Sequence, residues 1–336
     1  MNRVSGIPYS RRCGAPVLAV CGFSGAGKTT LLEAAIPALA ARGLAVAVVK
    51  HDAHGFEVDR PGKDSDRLFR AGATVVLRGS QEQFQRRGGA AALSLEATLA
   101  DLGRDHDLVL VEGHKQTPLP KLWMGNREET DPPAGVTGVQ AVLPWNSDRR
   151  ERFLDFVDQW LPRAWTERPI CLGLSLSAGS GCETRNWAGD TTFGSGYEQV
   201  VCWGGSVQQA PPRATWLAPP PDLGPPFEDA VFTGGVAPLM AAHRWAPQAA
   251  WIVLEEKSAA VATAVLEWLS PFRRPGVWAV LPKGRGLACA LYEPQALAGL
   301  ERRALEASGE GIDKWLGDGR VVCPELPGEF GSAMSP

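Results

Sequence analysis

The residues best suited to chemistry form a glycine-rich stretch near the N-terminus, Gly22-Phe23-Ser24-Gly25-Ala26-Gly27-Lys28-Thr29. An apolar run at 16–21 precedes it and a helix-like run at 30–35 follows it, which is the strand–turn–helix context of a phosphate-binding P-loop. Glycines let backbone N–H groups surround a phosphate, and the start of the helix adds its own unpaired N–H groups. Lys28 would reach the β- and γ-phosphates, and the Thr29 hydroxyl would ligate Mg²⁺. The stretch therefore predicts nucleotide binding rather than an ordinary glycine turn.

Two polar segments follow predicted strands farther along the chain. Residues 50–65 leave the strand predicted at 44–50 and include Asp52, which we predict as a metal ligand with Thr29 and Glu112. Ligands of open parallel sheets lie outside the carboxyl ends of the strands, although composition alone favours a solvated loop for 50–65. Glu112 ends the strand predicted at 107–112. We predict that it binds near Mg²⁺ or orients a water, the alternative being a capping or loop carboxylate without a metal.

The elements around these residues alternate between strands and helices. In the first half, strands are predicted at 44–50, 73–77, 107–112 and 140–143, and helices at 93–102 and 152–161. This alternation predicts a mostly parallel sheet covered by helices on both faces. A connector at 163–169 then separates a P-loop domain at 13–162 from a second α/β domain at 170–330. In the second domain, strands are predicted at 170–176, 250–254 and 277–281, helices at 258–269 and 294–306, and an extended surface loop at 208–226.

Composition narrows the class of protein. The chain has 336 residues, a formal net charge of −3 and 44% hydrophobic residues, which fits two globular domains without a basic pull toward nucleic acid. No apolar run is long enough to span a bilayer, and the N-terminal residues lack a signal-peptide core. The seven cysteines show no paired spacing, which favours reduced thiols in the cytoplasm over a zinc site or disulfides.

The first domain resembles the MobB family, the molybdopterin-guanine dinucleotide biosynthesis adaptor proteins. The resemblance covers about residues 14–162 and rests on the P-loop, on the segments at 49–54, 59–65, 71–73 and 110–115, and on Pro120-Lys121. His114 is a departure, since the family often carries Phe there. The resemblance implies GTP binding with Mg²⁺, weak GTP hydrolysis, a homodimer and a MobA-type guanylyltransferase or a molybdoenzyme client as partner. It adds three residues to the predicted nucleotide site, which then comprises Gly22, Ser24, Gly25, Ala26, Gly27, Lys28, Thr29, Thr30, Lys63, Asp64 and Lys115.

The second domain resembles MobA-type nucleotidyltransferases of Rossmann-type fold in segments at 233–239, 241–254 and 287–294. The family's glycine- and cation-rich opening is reduced here to residues 176–185, where Glu183 stands near the expected arginine and no Asp-Lys pair follows. A carboxylate would repel a triphosphate. Glu256, where the family has a metal-binding aspartate, retains an oxygen ligand suited to Mg²⁺. We therefore expect a non-catalytic domain that docks a partner or binds molybdopterin.

Three other interpretations remain open at the level of sequence. In a bifunctional protein the second domain would still join GMP to molybdopterin, which the missing cations disfavour. A P-loop kinase of a small metabolite is disfavoured by the MobB-like motifs. A scaffold with an idle P-loop is disfavoured by the intact pair Lys28 and Thr29.

Overall fold

The computed structural model describes residues 13–50, 61–72, 75–78, 80, 83–86, 94–176, 196–204, 214–217, 236–283, 289–305 and 319–330. Within them, the chain forms two α/β units, each built on its own sheet. The first unit contains strands β1 Val17–Gly22, β2 Val46–Lys50, β3 Val75–Arg78, β4 Gln83–Arg86, β5 Leu108–Glu112, β6 Lys121–Met124 and β7 Val139–Leu143. Its helices are α1 Lys28–Ala41, α2 Asp64–Arg70, α3 Leu95–Leu102 and α4 Arg149–Thr166.

The main sheet of the first unit has the strand order β2-β5-β1-β6-β7, and its described pairings are all parallel. One face packs on α1 and α4, whose buried side chains include Leu31, Leu39 and Phe153. The other face packs around Leu99 of α3 and Trp123 of β6. This confirms the predicted parallel sheet with helices on both faces. Because the strands are parallel, the turns that follow β1, β5, β6 and β7 all lie at one edge.

Three details of the first unit differ from the sequence prediction. The strand predicted at 73–77 is β3, which pairs antiparallel with β4 in a separate hairpin. β6 was not predicted, although it is the neighbour of β1 on the side opposite β5. α4 extends to Thr166, beyond the predicted end at 161, because its buried stripe continues through Trp165. Residues 163–166 of the predicted connector are therefore helical, and the division at 163–169 stays a prediction.

The second unit contains strands β8 Ile170–Leu176, β9 Gln199–Gly204, β10 Thr215–Trp216, β11 Ala250–Glu255, β12 Ala279–Val280, β13 Ala290–Tyr292 and β14 Val321–Val322. Its helices are α5 Val236–Trp245, α6 Ala262–Leu269 and α7 Pro294–Leu305, and 3-10 helices span Glu256–Val261, Ser270–Phe272 and Gly328–Phe330. The sheet order is β10-β9-β8-β11-β13-β12-β14, with β13 antiparallel to both neighbours. The order reverses direction between β8 and β11, as in doubly wound folds.

Two expectations for the second unit need correction. The segment 208–226 was expected to be an extended loop, but it contains β10, which pairs with β9. The helix predicted at 258–269 is a 3-10 helix followed by α6.

Buried polar contacts join the two units. Asp107, just before β5, is fully buried and accepts hydrogen bonds from Trp278 Nε1 at 2.7 Å and Arg320 Nη1 at 2.7 Å, both from the second unit. Gln295 Nε2 of α7 donates to the carbonyl oxygens of Gly14 at 2.7 Å and Gly103 at 3.0 Å. A buried polar group is costly unless it is satisfied, so these contacts define how the units meet. Across the described residues, no helix has both the length and the apolar character needed to cross a membrane.

Candidate functional site

The glycine-rich stretch forms the turn between β1 and α1. Gly27 caps α1 with φ 83° and ψ 24°, a left-handed conformation that favours glycine. Gly22 is required for a different reason, since a Cβ there would lie 2.5 Å from the carbonyl oxygen of Met124 on the neighbouring strand. The turn therefore lets β1 pair closely with β6 and is followed at once by the N-terminus of α1. Such an N-terminus is suited to an anion.

Lys28 lies at the mouth of this turn. Its Nζ donates hydrogen bonds to the carbonyl oxygens of Phe23 at 2.8 Å and Gly22 at 3.4 Å, and the side chain is half-buried. The carbonyl oxygens of the turn thus hold the Lys28 ammonium beside the phosphate-binding loop. This places a positive charge where phosphate oxygens would meet the backbone N–H groups.

Thr29 and Glu112 meet across the sheet edge, although 83 residues separate them in sequence. The Thr29 hydroxyl donates to Glu112 Oε1 at 2.8 Å, and the Thr29 side chain is exposed. Parallel pairing of β1 with β5, with Val20 opposite Glu112, brings the carboxylate to the P-loop. A hydroxyl and a carboxylate oxygen are both suitable ligands for Mg²⁺, so this donor set fits that ion.

Several lysines surround the end of β1. Burial raises the pKa of the Cys21 thiol to about 11, against the lowering effect of Lys121, Lys28 and Lys115. Lys121 is fully buried, and burial lowers the pKa of its ammonium. Its Nζ donates to the carbonyl oxygens of Thr117 and, at 2.9 Å, of Leu119. Lys121 therefore anchors the segment after β5 that also carries exposed Lys115, and the part of Lys115 in the nucleotide site stays a prediction.

The structure adds Arg149, which the sequence reasoning missed. This first residue of α4 donates from Nη1 to the carbonyl oxygen of Ala26 at 2.6 Å and from Nε to that of Pro144 at 2.9 Å. Its Nη2 also contacts the carbonyl oxygen of Gly125. Burial lowers the pKa of the guanidinium. One side chain thus ties the P-loop to the strand ends of β6 and β7. The sequence signal that could have identified Arg149 is its position after the turn that follows β7, a strand of the parallel sheet.

The remaining predicted residues lie around the P-loop, at the start of α2 or outside the described part of the chain. Around the P-loop, Ser24, Gly25 and Thr30 are exposed and Ala26 is buried. Lys63 and Asp64 are exposed at the start of α2, and their approach to the nucleotide stays a prediction. Asp52 lies outside the described residues, so its role as a metal ligand also stays a prediction. Among the residues that are described, no group of three or more His, Cys, Asp or Glu side chains is arranged to hold a metal ion.

The corresponding edge of the second unit is described in part. Glu255 ends β11 and is exposed, while Glu183 lies outside the described residues. The side chain of Glu256 is likewise outside the description. The predicted loss of transferase chemistry in this unit therefore stays a prediction.

Comparison with known proteins matches a family model to residues of the first unit and finds relatives that align with part of the chain. Residues 17–143 match the family model described as "Molybdopterin guanine dinucleotide synthesis protein B". The molybdopterin-guanine dinucleotide biosynthesis adapter protein of Haemophilus influenzae is 38% identical over 159 residues, which are 44% of this chain and 89% of that protein. The protein of the same description from Escherichia coli is 35% identical over 165 residues, covering 44% of this chain and 94% of its own length.

Solved structures also align with part of the chain. A crystal structure of molybdopterin-guanine biosynthesis protein B aligns with 25% identity and a TM-score of 0.36, covering 43% of this chain and 98% of that one. The crystal structure of Bacillus subtilis MobB aligns with 23% identity and a TM-score of 0.33, covering 43% of this chain and 96% of that one.

Proposed function

The chain belongs, through residues 17–143, to the family of molybdopterin-guanine dinucleotide biosynthesis adapter proteins, and from that premise we propose that its first unit binds GTP with Mg²⁺. The observation that carries the proposal is the hydrogen bond of 2.8 Å between Thr29 and Glu112 at the mouth of the P-loop. A hydroxyl at the helix start and a carboxylate at the next strand end are the arrangement that P-loop nucleotide sites use.

Each residue has a distinct role in the proposed site. The backbone N–H groups from Gly25 to Thr30 surround the phosphates, and the Lys28 ammonium neutralises their charge. Mg²⁺, when bound by Thr29 with Glu112 beside it, supplies charge neutralisation on the phosphate oxygens. Glu112 is also placed to orient a water, which supports weak GTP hydrolysis. Lys115, held by the segment that Lys121 anchors, contributes further positive charge.

The adapter role defines the proposed partners. We propose that the chain binds a MobA-type guanylyltransferase or a molybdoenzyme client. We also propose that two copies of the chain form a homodimer in the cytoplasm. The second unit is proposed to dock that partner or to bind molybdopterin without transferring GMP. Support for the absence of transfer comes from the sequence, in which Glu183 stands near the position of a phosphate-binding arginine.

Titration of the full chain with GTP and Mg²⁺ tests the nucleotide site. Lys28→Ala removes a charged donor to the phosphates and should weaken binding by about 2–4 kcal/mol. Lys283→Ala removes an exposed lysine of the second unit, which pairs with Glu325, and should leave the affinity unchanged. Equal affinity of the wild type and Lys28→Ala would contradict the P-loop assignment.

Glu112→Gln tests the carboxylate separately. The amide keeps the shape and can still accept the hydrogen bond from Thr29, so thermal stability should barely change while GTP hydrolysis falls. A variant that hydrolyses GTP at the wild-type rate would remove the proposed role of Glu112.

A further inference from the structure

The geometry points to a nucleobase subsite beside the P-loop, formed by Trp145 and Arg127, that recognises a purine carrying a carbonyl at position 6, as guanine does. The inference rests on the proposed function, since it concerns the base of the nucleotide whose phosphates the P-loop would hold. Neither side chain was among the residues predicted from the sequence.

The subsite lies at the carboxyl ends of β6 and β7. β6 pairs with β1 and β7 pairs with β6, so the turns after these strands lie at the edge that holds the P-loop. The N–H of Gly125 donates to the carbonyl oxygen of Leu143 at 3.1 Å, which joins the two strand ends. Arg127 and Trp145 follow these two residues by two positions each, so each lies in the turn that leaves its strand.

Arg149 connects this edge to the phosphate loop. Its guanidinium donates to the carbonyl oxygen of Ala26 in the P-loop and lies 4.8 Å from the centroid of the Trp145 ring. A single guanidinium therefore separates the indole from the loop backbone.

Both side chains of the proposed subsite are exposed to solvent. Trp145 is 39% exposed, and the guanidinium carbon of Arg127, itself an exposed residue, lies 5.2 Å from its ring centroid. Arg149 already has hydrogen bonds to the carbonyl oxygens of Ala26 and Pro144, so it does not depend on the indole for partners. Aromatic and guanidinium planes stack on nucleobases, and this preference is independent of the identity of the base.

Discrimination between purines comes from hydrogen bonding by Arg127. A guanidinium donates two parallel hydrogen bonds to O6 and N7 of guanine, whereas adenine presents an amino donor at position 6. The neighbouring turn has its own contacts, since Asn126 Oδ1 accepts from the N–H groups of Glu128 at 2.9 Å and Glu129 at 2.6 Å. These contacts do not use the Arg127 guanidinium, which can leave the indole and bond to the edge of a base that stacks there.

Calorimetric titration of the full chain with GTP, ATP and tripolyphosphate, each with Mg²⁺, tests the inference. Trp145→Ala should weaken GTP binding by about 5- to 100-fold, the scale for losing one base–aromatic stack, and leave tripolyphosphate binding unchanged. Trp145→Phe should restore most of the GTP affinity. Arg127→Ala should lower the ratio of GTP to ATP affinity by about 5- to 100-fold.

Matched controls exist for both side chains. Trp245→Ala removes a tryptophan of equal exposure, 39%, from the second unit, and Arg152→Ala removes an exposed arginine from α4. Both should leave the GTP affinity and the purine preference unchanged.

The outcomes separate this inference from the proposed function. If wild-type protein binds neither GTP nor tripolyphosphate, the proposed function fails and the subsite fails with it. If wild type binds both and Trp145→Ala changes neither, the nucleotide site stands and the base subsite is overturned. Equal weakening of GTP and tripolyphosphate by Trp145→Ala would also overturn it, since Trp145 would then only support the phosphate loop.

Discussion

Replacement of Glu293 by Gln should lower the free energy of unfolding, because Glu293 is a buried carboxylate that pairs with two buried arginines. Its Oε2 accepts from Arg168 Nη2 at 2.7 Å and its Oε1 accepts from Arg273 Nε at 2.8 Å. The three side chains are at most 2% exposed. Arg168 also donates to the carbonyl oxygen of Gly14, so the cluster connects the start of the first unit to the second.

The magnitude follows from burial. Burial alone would raise the pKa of the Glu293 carboxyl, but Arg273 and Arg168 outweigh it and hold the pKa below its ordinary value. The ionised form is therefore the stable one in the folded chain. Glu293→Gln keeps the shape and leaves two guanidinium charges without their counter-ion. Removal of one partner from a buried ion cluster costs about 3–5 kcal/mol.

Urea unfolding of the full chain at pH 7, followed by circular dichroism, measures this cost. Glu301→Gln is the matched control, since Glu301 also pairs with two arginines, Arg104 and Arg244. Those arginine side chains are 42% and 40% exposed, so the control should cost no more than about 1 kcal/mol. Equal free energies of unfolding for the two variants would refute the reasoning that burial makes the Glu293 cluster essential.

Two further predictions concern the second unit. Burial lowers the pKa of His243 from 6.5 to about 4, against the raising effect of Glu301, so the unfolded chain binds a proton between these values that the folded chain does not. The free energy of unfolding should therefore fall as the pH drops from about 6.5 to 4. Between pH 7 and 4.5, urea unfolding should show a fall that is about 2–3 kcal/mol smaller for His243→Leu than for the wild type. Parallel pH profiles for the two proteins would contradict this. The full chain, incubated with GTP, Mg²⁺ and molybdopterin without a guanylyltransferase, should form no dinucleotide detectable by chromatography. The reason lies in the sequence, where Glu183 stands near the position at which MobA-type transferases carry an arginine that would stabilise the leaving pyrophosphate. Product formation that depends on Glu256 would establish the bifunctional enzyme instead.

The sequence predicted the parts of the site that depend on neighbouring residues. Glycines, a lysine and a threonine between a strand and a helix dictate the P-loop turn, because backbone conformation and the start of a helix are set over a few residues. The structure confirms this turn with Gly27 in a left-handed conformation and Lys28 at its mouth. Glu112 was predicted from its place at a strand end, and parallel pairing then brought it to Thr29.

The errors of prediction share a different cause. β3 has the apolar character of a sheet strand, yet it pairs with β4 in a hairpin, because strand partners are chosen by tertiary packing rather than by propensity. β6 begins at Lys121, directly after Pro120, and these two residues do not resemble the start of a buried strand. Its lysine is buried only because two backbone carbonyls accept from the ammonium.

The sequence by itself determined the P-loop, the parallel α/β character of the first unit and the carboxylate of Glu112, since short-range patterns encode each of them. Only the tertiary structure placed Arg149 against Ala26, 123 residues away, and Trp145 beside that guanidinium. Only the tertiary structure, likewise, buried Glu293 between Arg168 and Arg273. The physical reason is that the sequence around a charged or aromatic residue looks the same whether its side chain is solvated on a loop or packed against distant residues. Its role is decided by the distant backbone and charges that folding brings to it.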